Sequence, residues 1–488
     1  MDETIKVTGL SKSYAGNKVI SNIELSIGTG QVFGLLGANG AGKTTTIECI
    51  LGTRKADAGS VSILGLDSRK DRKQLFEQVG VQFQETGYSD KIKVWELCEE
   101  TACLYRKAAN YEDLLRQFDL WEKRGAFVNE LSGGQKQRLF IVLALLPDPK
   151  VVFLDELTTG LDTKARRSVW KSLNTLKQKG LTIFLSSHFM DEVEVLCDTI
   201  AIFEGRKISF SQEPFKRQFT KAHIIIWKKP ICGLPERRKR TMNKYVTMLK
   251  TEIKLSFRGM DMVIFALCLP VVVVVLLGII YGNQPAFEGA SYSFLEQSFG
   301  AISTIAICAG GVMGLPLVIS DYRQKKILKR YKVTPTSPVL LLAVQVSIYA
   351  IYSLLSLILV YLVGSLFFGV RLPGSVGIFL ASYLLVMLST FSIGMMVGGV
   401  APNMKVASIV ASVLYFPMLI FSGATLPYEV MPTALQRIAD ILPLTQGIKL
   451  LKAASLGLSI DVAWLPLVVM VALIIICGGI AVKFFKWE

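Results

Sequence analysis

Two apolar patterns divide this chain. Over the first part, apolar residues come in short runs such as Gln31–Leu36, Val151–Leu154 and Leu181–Leu185, each leading into a loop and then a helical pattern. Short runs bounded by turns read as buried strands, and their alternation with helices predicts an α/β domain over residues 1–220. From about residue 261 the runs lengthen. Six apolar blocks lie at 262–281, 298–320, 338–367, 375–400, 406–424 and 461–482. At about 1.5 Å of rise per residue, each is long enough to cross about 30 Å of hydrocarbon. Residues 261–488 are therefore predicted to form an all-α transmembrane domain of six helices.

Between these parts, residues 221–260 form a basic connector carrying Lys228, Lys229, Arg237, Arg238, Lys239 and Arg240. The spacing of Leu249, Ile253 and Phe257 in its last third suits a helix lying on a membrane surface. The segment 321–337 carries Arg323, Lys325, Lys326, Lys329, Arg330 and Lys332, whereas 283–297 has no Lys or Arg. Basic loops stay on the cytoplasmic side, so 321–337 is expected there together with the α/β domain. One stretch departs from this pattern. Residues 425–460 place Arg437, Lys449 and Lys452 on the expected outer side, and their prolines Pro427, Pro432 and Pro443 predict a re-entrant or interfacial turn.

Composition bears on the choice of partner. A formal charge of +16 in 488 residues would by itself admit nucleic acid. However, hydrophobic residues make up 51% and charged ones 19%, and mean hydropathy is +0.45. The basic clusters flank the apolar blocks, where anionic inner-leaflet lipid attracts them. Membrane lipid accounts for both features, and no nucleic-acid partner is expected. The eight cysteines (Cys49, Cys98, Cys103, Cys197, Cys232, Cys268, Cys308, Cys477) form no CxxC pair, and His188 and His223 are the only histidines. Reduced thiols and no Cys/His metal site are expected. Met1–Ile20 lacks an apolar signal core, so no cleaved signal peptide is expected.

Three motifs carry chemistry. Gly37-Ala-Asn-Gly-Ala-Gly42-Lys43-Thr44 follows the apolar run Val32–Leu36 and fits G-x-x-x-x-G-K-[ST]. In such a loop, glycines turn backbone N–H groups toward phosphate oxygens at a helix N-terminus, so Gly37, Asn39, Gly40, Gly42, Lys43, Thr44 and Thr45 are the expected nucleotide-binding set. Lys43 should reach the β/γ-phosphates and the Thr44 hydroxyl should ligate Mg²⁺. Val151-Val-Phe-Leu-Asp155-Glu156 is an apolar strand ending in two carboxylates. Asp155 is the expected Mg²⁺ ligand, and Glu156 the general base that polarises the attacking water. Between them, Leu131-Ser-Gly-Gly-Gln135 opens a helical stretch; a serine N-cap would also explain it.

This pentapeptide, lying between the other two motifs, resembles the signature of the ATP-binding cassette (ABC) family. The resemblance covers residues 1–215 and implies further roles. Tyr14 stands where the family stacks adenine. Gln84 matches the glutamine that senses Mg²⁺ and touches the membrane domain, and His188, after Ser187, matches the switch histidine on the γ-phosphate. Asp162, in Gly160-Leu-Asp, matches the loop that crosses to a second copy. Ser132, Gly133, Gly134 and Gln135 are implied to face that copy's phosphate loop, so the cofactors are ATP and Mg²⁺ and the simplest assembly is a homodimer. One departure is Leu157, where the family usually has proline.

An ATPase followed by six spans resembles the ABCG-like and daunorubicin-resistance exporters. In those families the loop between spans two and three, here Asp321–Pro335, touches the ATPase. The stretch from Phe421 to Pro427 resembles their outer half-helix region. No charge lies well inside the six blocks, with Lys405, Asp461 and Lys483 at their ends, which disfavours an ion-coupled carrier. An uncharged route suits a lipophilic or amphiphilic cargo, with Tyr415, Phe416 and Phe421 as candidate lining and Gln345 as candidate interhelical glue. Export across the cytoplasmic membrane is the leading expectation. Export of a lipid-linked glycan, or ATP-dependent sensing without transport, remain alternatives.

Overall fold

The computed structural model describes residues 3–84, 87–158, 160–204, 207–211, 243–282, 284–337, 339–425, 428, 431–458 and 460–485. The basic cluster from Lys228 to Arg240, with His223, Cys232 and Pro427, lies outside the described residues. Two compact units are present. One comprises Met1–Thr247 with Lys329–Ser337, the other Met248–Leu328 with Pro338–Glu488.

The first unit contains two sheets. β1 (Glu3–Tyr14), β2 (Asn17–Gly28), β4 (Ala58–Ile63) and β5 (Leu66–Asp67) form an antiparallel sheet in the order β2-β1-β4-β5. β3 (Val32–Leu36), β6 (Val79–Gln82), β7 (Val151–Asp155), β8 (Thr182–Ser187), β9 (Thr199–Glu204) and β10 (Lys207–Ser211) form the second, in the order β10-β9-β3-β8-β7-β6. Its strands run parallel apart from β10. Every residue of β3, β7 and β8 is buried, as expected of unbroken apolar runs in a parallel sheet. Phe33 and Phe153 each lie about 5 Å from the ring of Phe184 and lock the three strands together (5.1 and 5.2 Å between centroids). Register pairs Leu36 with Ser187 and Asp155 with Ser186, so β3, β7 and β8 end level. Ligands of open parallel sheets bind at that edge.

The second unit is helical. Among the described residues, six helices are long and apolar enough to cross a membrane: Val263–Tyr281, Phe294–Gln324, Val339–Phe368, Val376–Val400, Met404–Phe421 and Trp464–Phe484. The second forms the centre of the unit: 83% of its apolar stretch is buried inside the protein, against 22% for the first. Small residues permit this. A Cβ on Gly394 of the fourth span would fall 1.8 Å from the Gly311 carbonyl, so the two backbones are in direct contact. Two π-helical turns, Val263–Cys268 and Ala309–Gly314, each come just before a proline, Pro270 and Pro316. Proline lacks an N–H and crowds the carbonyl four residues back; a widened turn takes up that conflict without breaking the helix.

The second helix runs past the end of its apolar block, so Asp321 and Arg323 are helical rather than part of a loop. Arg323 is buried, and its guanidinium donates to the carbonyls of Gly398 (3.1 Å), Gly399 (3.1 Å) and Ala401 (2.6 Å) at the end of the fourth span. Gln345 does link helices. Its Nε2 donates to the Tyr322 hydroxyl (2.7 Å), which donates to the buried Glu252 (2.8 Å) on the helix Lys244–Gly259. Residues 433–456 form two short helices, Thr433–Ala439 and Pro443–Leu456. The longer one is buried, with Gly447 against Val386 and Leu451 against Gly300. Lys449 is neutralised there by Asp440 (2.6 Å).

Candidate nucleotide site

The loop after β3 can turn sharply because Gly40 (φ 80°) and Gly42 (φ 109°) adopt left-handed backbone that an L side chain resists. The loop delivers the N-terminus of the helix Lys43–Ile50, whose first N–H groups have no partner within the helix and favour an anion. Lys43 is buried, and its Nζ donates to the carbonyls of Gly37 (2.7 Å) and Ala38 (3.1 Å), folding back across the loop. Burial pushes its pKa down, while Glu156 and Asp155 pull the other way. Asn39 is exposed on the loop, and Thr44 and Thr45 lie half-buried behind it.

Asp155 ends β7, fully buried. Its Oδ1 accepts from the Ser186 hydroxyl, and the nearby Thr44 hydroxyl favours its charged form. Its Oδ2 is buried without a hydrogen-bond partner. Burial raises its pKa, against the lowering influence of the Ser186 and Thr44 hydroxyls. Lys43 and Asp155 therefore each carry a charge that burial disfavours. A phosphate would relieve the first and a divalent cation the second. A hard cation takes oxygen ligands such as a carboxylate and a hydroxyl, so Asp155 Oδ2 and Thr44 fit Mg²⁺.

Glu156 follows with φ 52°, a left-handed conformation costing a non-glycine residue about 1–3 kcal/mol. Its N–H is held by the carbonyl (3.2 Å) and hydroxyl (3.1 Å) of Ser186. Gln84 Nε2 donates to Oε2 at 2.7 Å, and His188 Nδ1 lies 3.9 Å from Oε1. Leu157 is fully buried, and its carbonyl accepts from Gln137 Nε2 (2.8 Å), so Gln137 fixes the turn where proline is missing. Sequence reasoning missed Gln137; a glutamine within a helical stretch gives no signal of its own.

The structure thus gathers Lys43, Thr44, Gln84, Asp155, Glu156 and His188 at one sheet edge. The remaining residues lie elsewhere on the unit. Tyr14, at the end of β1, is 37% exposed, with Lys12 and Arg54 each 5.4 Å from its ring centre. Ser132 caps the helix Gly133–Leu145: its Oγ accepts from the Gln135 N–H (3.3 Å), and Gln135 Oε1 accepts from the Ser132 N–H (3.0 Å). Ser132 and Gly133 are exposed, and a Cβ on Gly134 would meet Leu161 at 3.2 Å. Asp162 caps the helix Thr163–Gln178 by accepting from the Ala165 N–H (2.7 Å).

The segment Lys329–Ser337 is built into this same unit, and Val333 joins its apolar core. Tyr331, fully buried, donates to Glu100, and Arg330 lies 3.8 Å from the same carboxylate. Arg72 donates to the carbonyls of Tyr331 (2.8 Å), Lys332 (2.5 Å) and Thr336 (3.2 Å).

Two family models and several curated relatives match this chain. A family model described as ABC transporter matches residues 20–159, and one described as ABC-2 type transporter matches 243–456. A Nod factor export ATP-binding protein I of Burkholderia orbicola (strain AU 1054) is 38% identical over 211 residues, covering 42% of this chain and 69% of the relative. ABC transporter A family member 9 of Dictyostelium discoideum is 36% identical over 235 residues, 46% of this chain. The match spans only 27% of that relative's length. A solved ATP binding subunit of an ABC transporter aligns with TM-score 0.40 at 28% identity, covering 43% of this chain and 89% of that one.

Proposed function

From the premise that this chain belongs to the ABC transporters, with an ABC-2 type membrane region behind its ATPase domain, we propose that it hydrolyses ATP to export a lipophilic or amphiphilic compound. The observation that carries this reading is the cluster around Glu156. A carboxylate on a strained turn, oriented by Gln84 and close to His188, sits beside a phosphate loop and a buried aspartate with a free oxygen. In this account Lys43 leaves the Gly37 and Ala38 carbonyls for the β/γ-phosphates, and Glu156 accepts the proton of the attacking water. His188 contacts the γ-phosphate. Mg²⁺ held by Thr44 and Asp155, with Gln84 sensing it, would neutralise the charge that develops on the phosphates. Tyr14 would stack on the base.

The exposed Ser132–Gln135 end of its helix supports a dimer. Ser132 and Gly133 are exposed at that end, as on a surface that closes on the nucleotide of a second copy. A homodimer is the simplest form, because phosphate loop and signature are both intact in one chain. The cytoplasmic membrane is the location proposed, and the basic segment Arg323–Lys332 supports an ATPase on its inner side. Some relatives are named for Nod factor export and this chain has no basic or acidic residue in the middle of its apolar blocks, so an uncharged route for an amphiphile is the reading adopted. Tyr415 is buried in the helical core and Phe416 faces outward, which leaves Tyr415 as the better candidate for lining that route.

The test is ATP-driven movement of a lipophilic dye in vesicles reconstituted with the full chain. Movement away from the ATPase side supports export. ATP turnover without movement, across a broad panel of lipophilic compounds, would favour sensing instead.

A further inference from the structure

Glu48 lies on the helix Lys43–Ile50, one turn beyond the phosphate loop, and is buried although it takes no part in the chemistry above. Each of its oxygens is engaged by a cation. Oε2 accepts from Arg54 Nε at 2.5 Å, and Oε1 is paired with Lys329. Burial pushes its pKa up, but these two cations hold it below the ordinary carboxylate value. Arg54 in turn lies 5.4 Å from the centre of the Tyr14 ring. Lys329 lies 4.5 Å from the centre of the Phe83 ring, beside Gln84, and its charge also acts on the Asp155 carboxyl. A continuous set of contacts therefore runs from Tyr14 through Arg54, Glu48 and Lys329 to the segment Lys329–Ser337.

We propose that Glu48 is a positioning residue that transmits nucleotide occupancy at Tyr14 to the segment Lys329–Ser337, through Arg54 on one side and Lys329 on the other. The geometry suits this role better than a purely structural one. A buried carboxylate whose two oxygens are divided between two cations cannot strengthen one pair without adjusting the other, because both compete for the same charge. A base stacked on Tyr14 adds a π-face beside Arg54 and changes how that guanidinium is shared. Glu48 then redistributes toward or away from Lys329. Coupling of this kind is reciprocal: if the nucleotide orders Lys329–Ser337, fixing that segment must tighten the nucleotide by the same factor.

This inference rests on the reading of Tyr14 as the base platform, and its test does not require transport. Amide hydrogen exchange of residues 329–337 is measured on the full chain in lipid nanodiscs, with and without saturating Mg-ATP. Nucleotide is expected to slow exchange there by on the order of fivefold, the lower end of ordinary coupling. That difference should vanish in Glu48→Gln and in Lys329→Met, and persist in Lys329→Arg, which keeps the charge. ATP affinity should fall in the two variants that lose the difference; simple local destabilisation of the segment would speed exchange with and without nucleotide but leave the nucleotide-dependent difference in place. An unchanged nucleotide effect in Lys329→Met, or its loss in Lys329→Arg as well, would overturn the relay. ATP turnover of the parent chain is followed in parallel: its absence would sink the transporter reading while the exchange result still decides the relay.

Discussion

Asp155 and Lys43 are each buried in a state that their surroundings do not fully compensate. Asp155 has a folded pKa raised above its unfolded one, so its contribution to stability is present below the unfolded carboxylate range and is lost as pH rises through the raised value. At neutral pH without ligand, the folded chain bears that cost. Asp155→Asn should therefore raise the apo melting temperature of the ATPase at pH 7 and flatten its dependence on pH across the acidic range. The extra stabilisation by Mg-ATP should disappear, which thermal melts at several pH values would detect. Glu156→Gln keeps the turn and the bond partner of Gln84 but removes the base. Turnover should fall by roughly 10²–10⁴-fold with ATP binding retained, read by phosphate release and nucleotide titration. Asp155 and Glu156 were legible in the sequence because they end a buried apolar run, and Lys43 because it closes the glycine-rich loop that follows one. Gln137 and Glu48 were not, since both lie inside helical stretches where a polar residue ordinarily faces water, and only the fold shows what they meet.

At the scale of elements, the long apolar blocks were the easiest part of the fold to read, because nothing but a membrane-crossing or deeply buried helix accommodates twenty apolar residues. Their interruptions were harder. The π-turns before Pro270 and Pro316 follow from proline sterics, but sequence does not tell a widened turn from a kink or a break. The buried bond chain Glu252–Tyr322–Gln345 joins three helices, and of its members Gln345 alone stood out, as a polar residue in an apolar block. Close approach between spans two and four is set by Gly311 and Gly394, where an added methyl would collide with backbone rather than with a movable side chain. Gly394→Ala should destabilise the helical unit by at least the ~1–3 kcal/mol typical of overpacking, visible as a lower melting temperature of the full chain in detergent. Gly478→Ala, on the sixth span with open space around its Cβ, should leave that temperature nearly unchanged.

For the whole molecule, the α/β ATPase fold and the helical membrane region are both written in the periodicity of the chain, and the family models fall on those two parts. What lay beyond reach was the assignment of Lys329–Ser337, between two apolar helices, to the ATPase unit through Tyr331, Arg330 and Val333. Charge alone made this segment an ordinary basic flank, and only the resemblance to exporters suggested contact with the ATPase. The account as a whole depends on two chains enclosing the nucleotide, since Ser132 and Gly133 are exposed at the end of their helix in one chain. The most direct measurement is native mass spectrometry of Glu156→Gln in detergent under saturating Mg-ATP. Two chains with two nucleotides are predicted, reverting toward nucleotide-free species when Ser132 is also replaced by Arg. A single chain that retains ATP tightly and unaffected by that second substitution would contradict it.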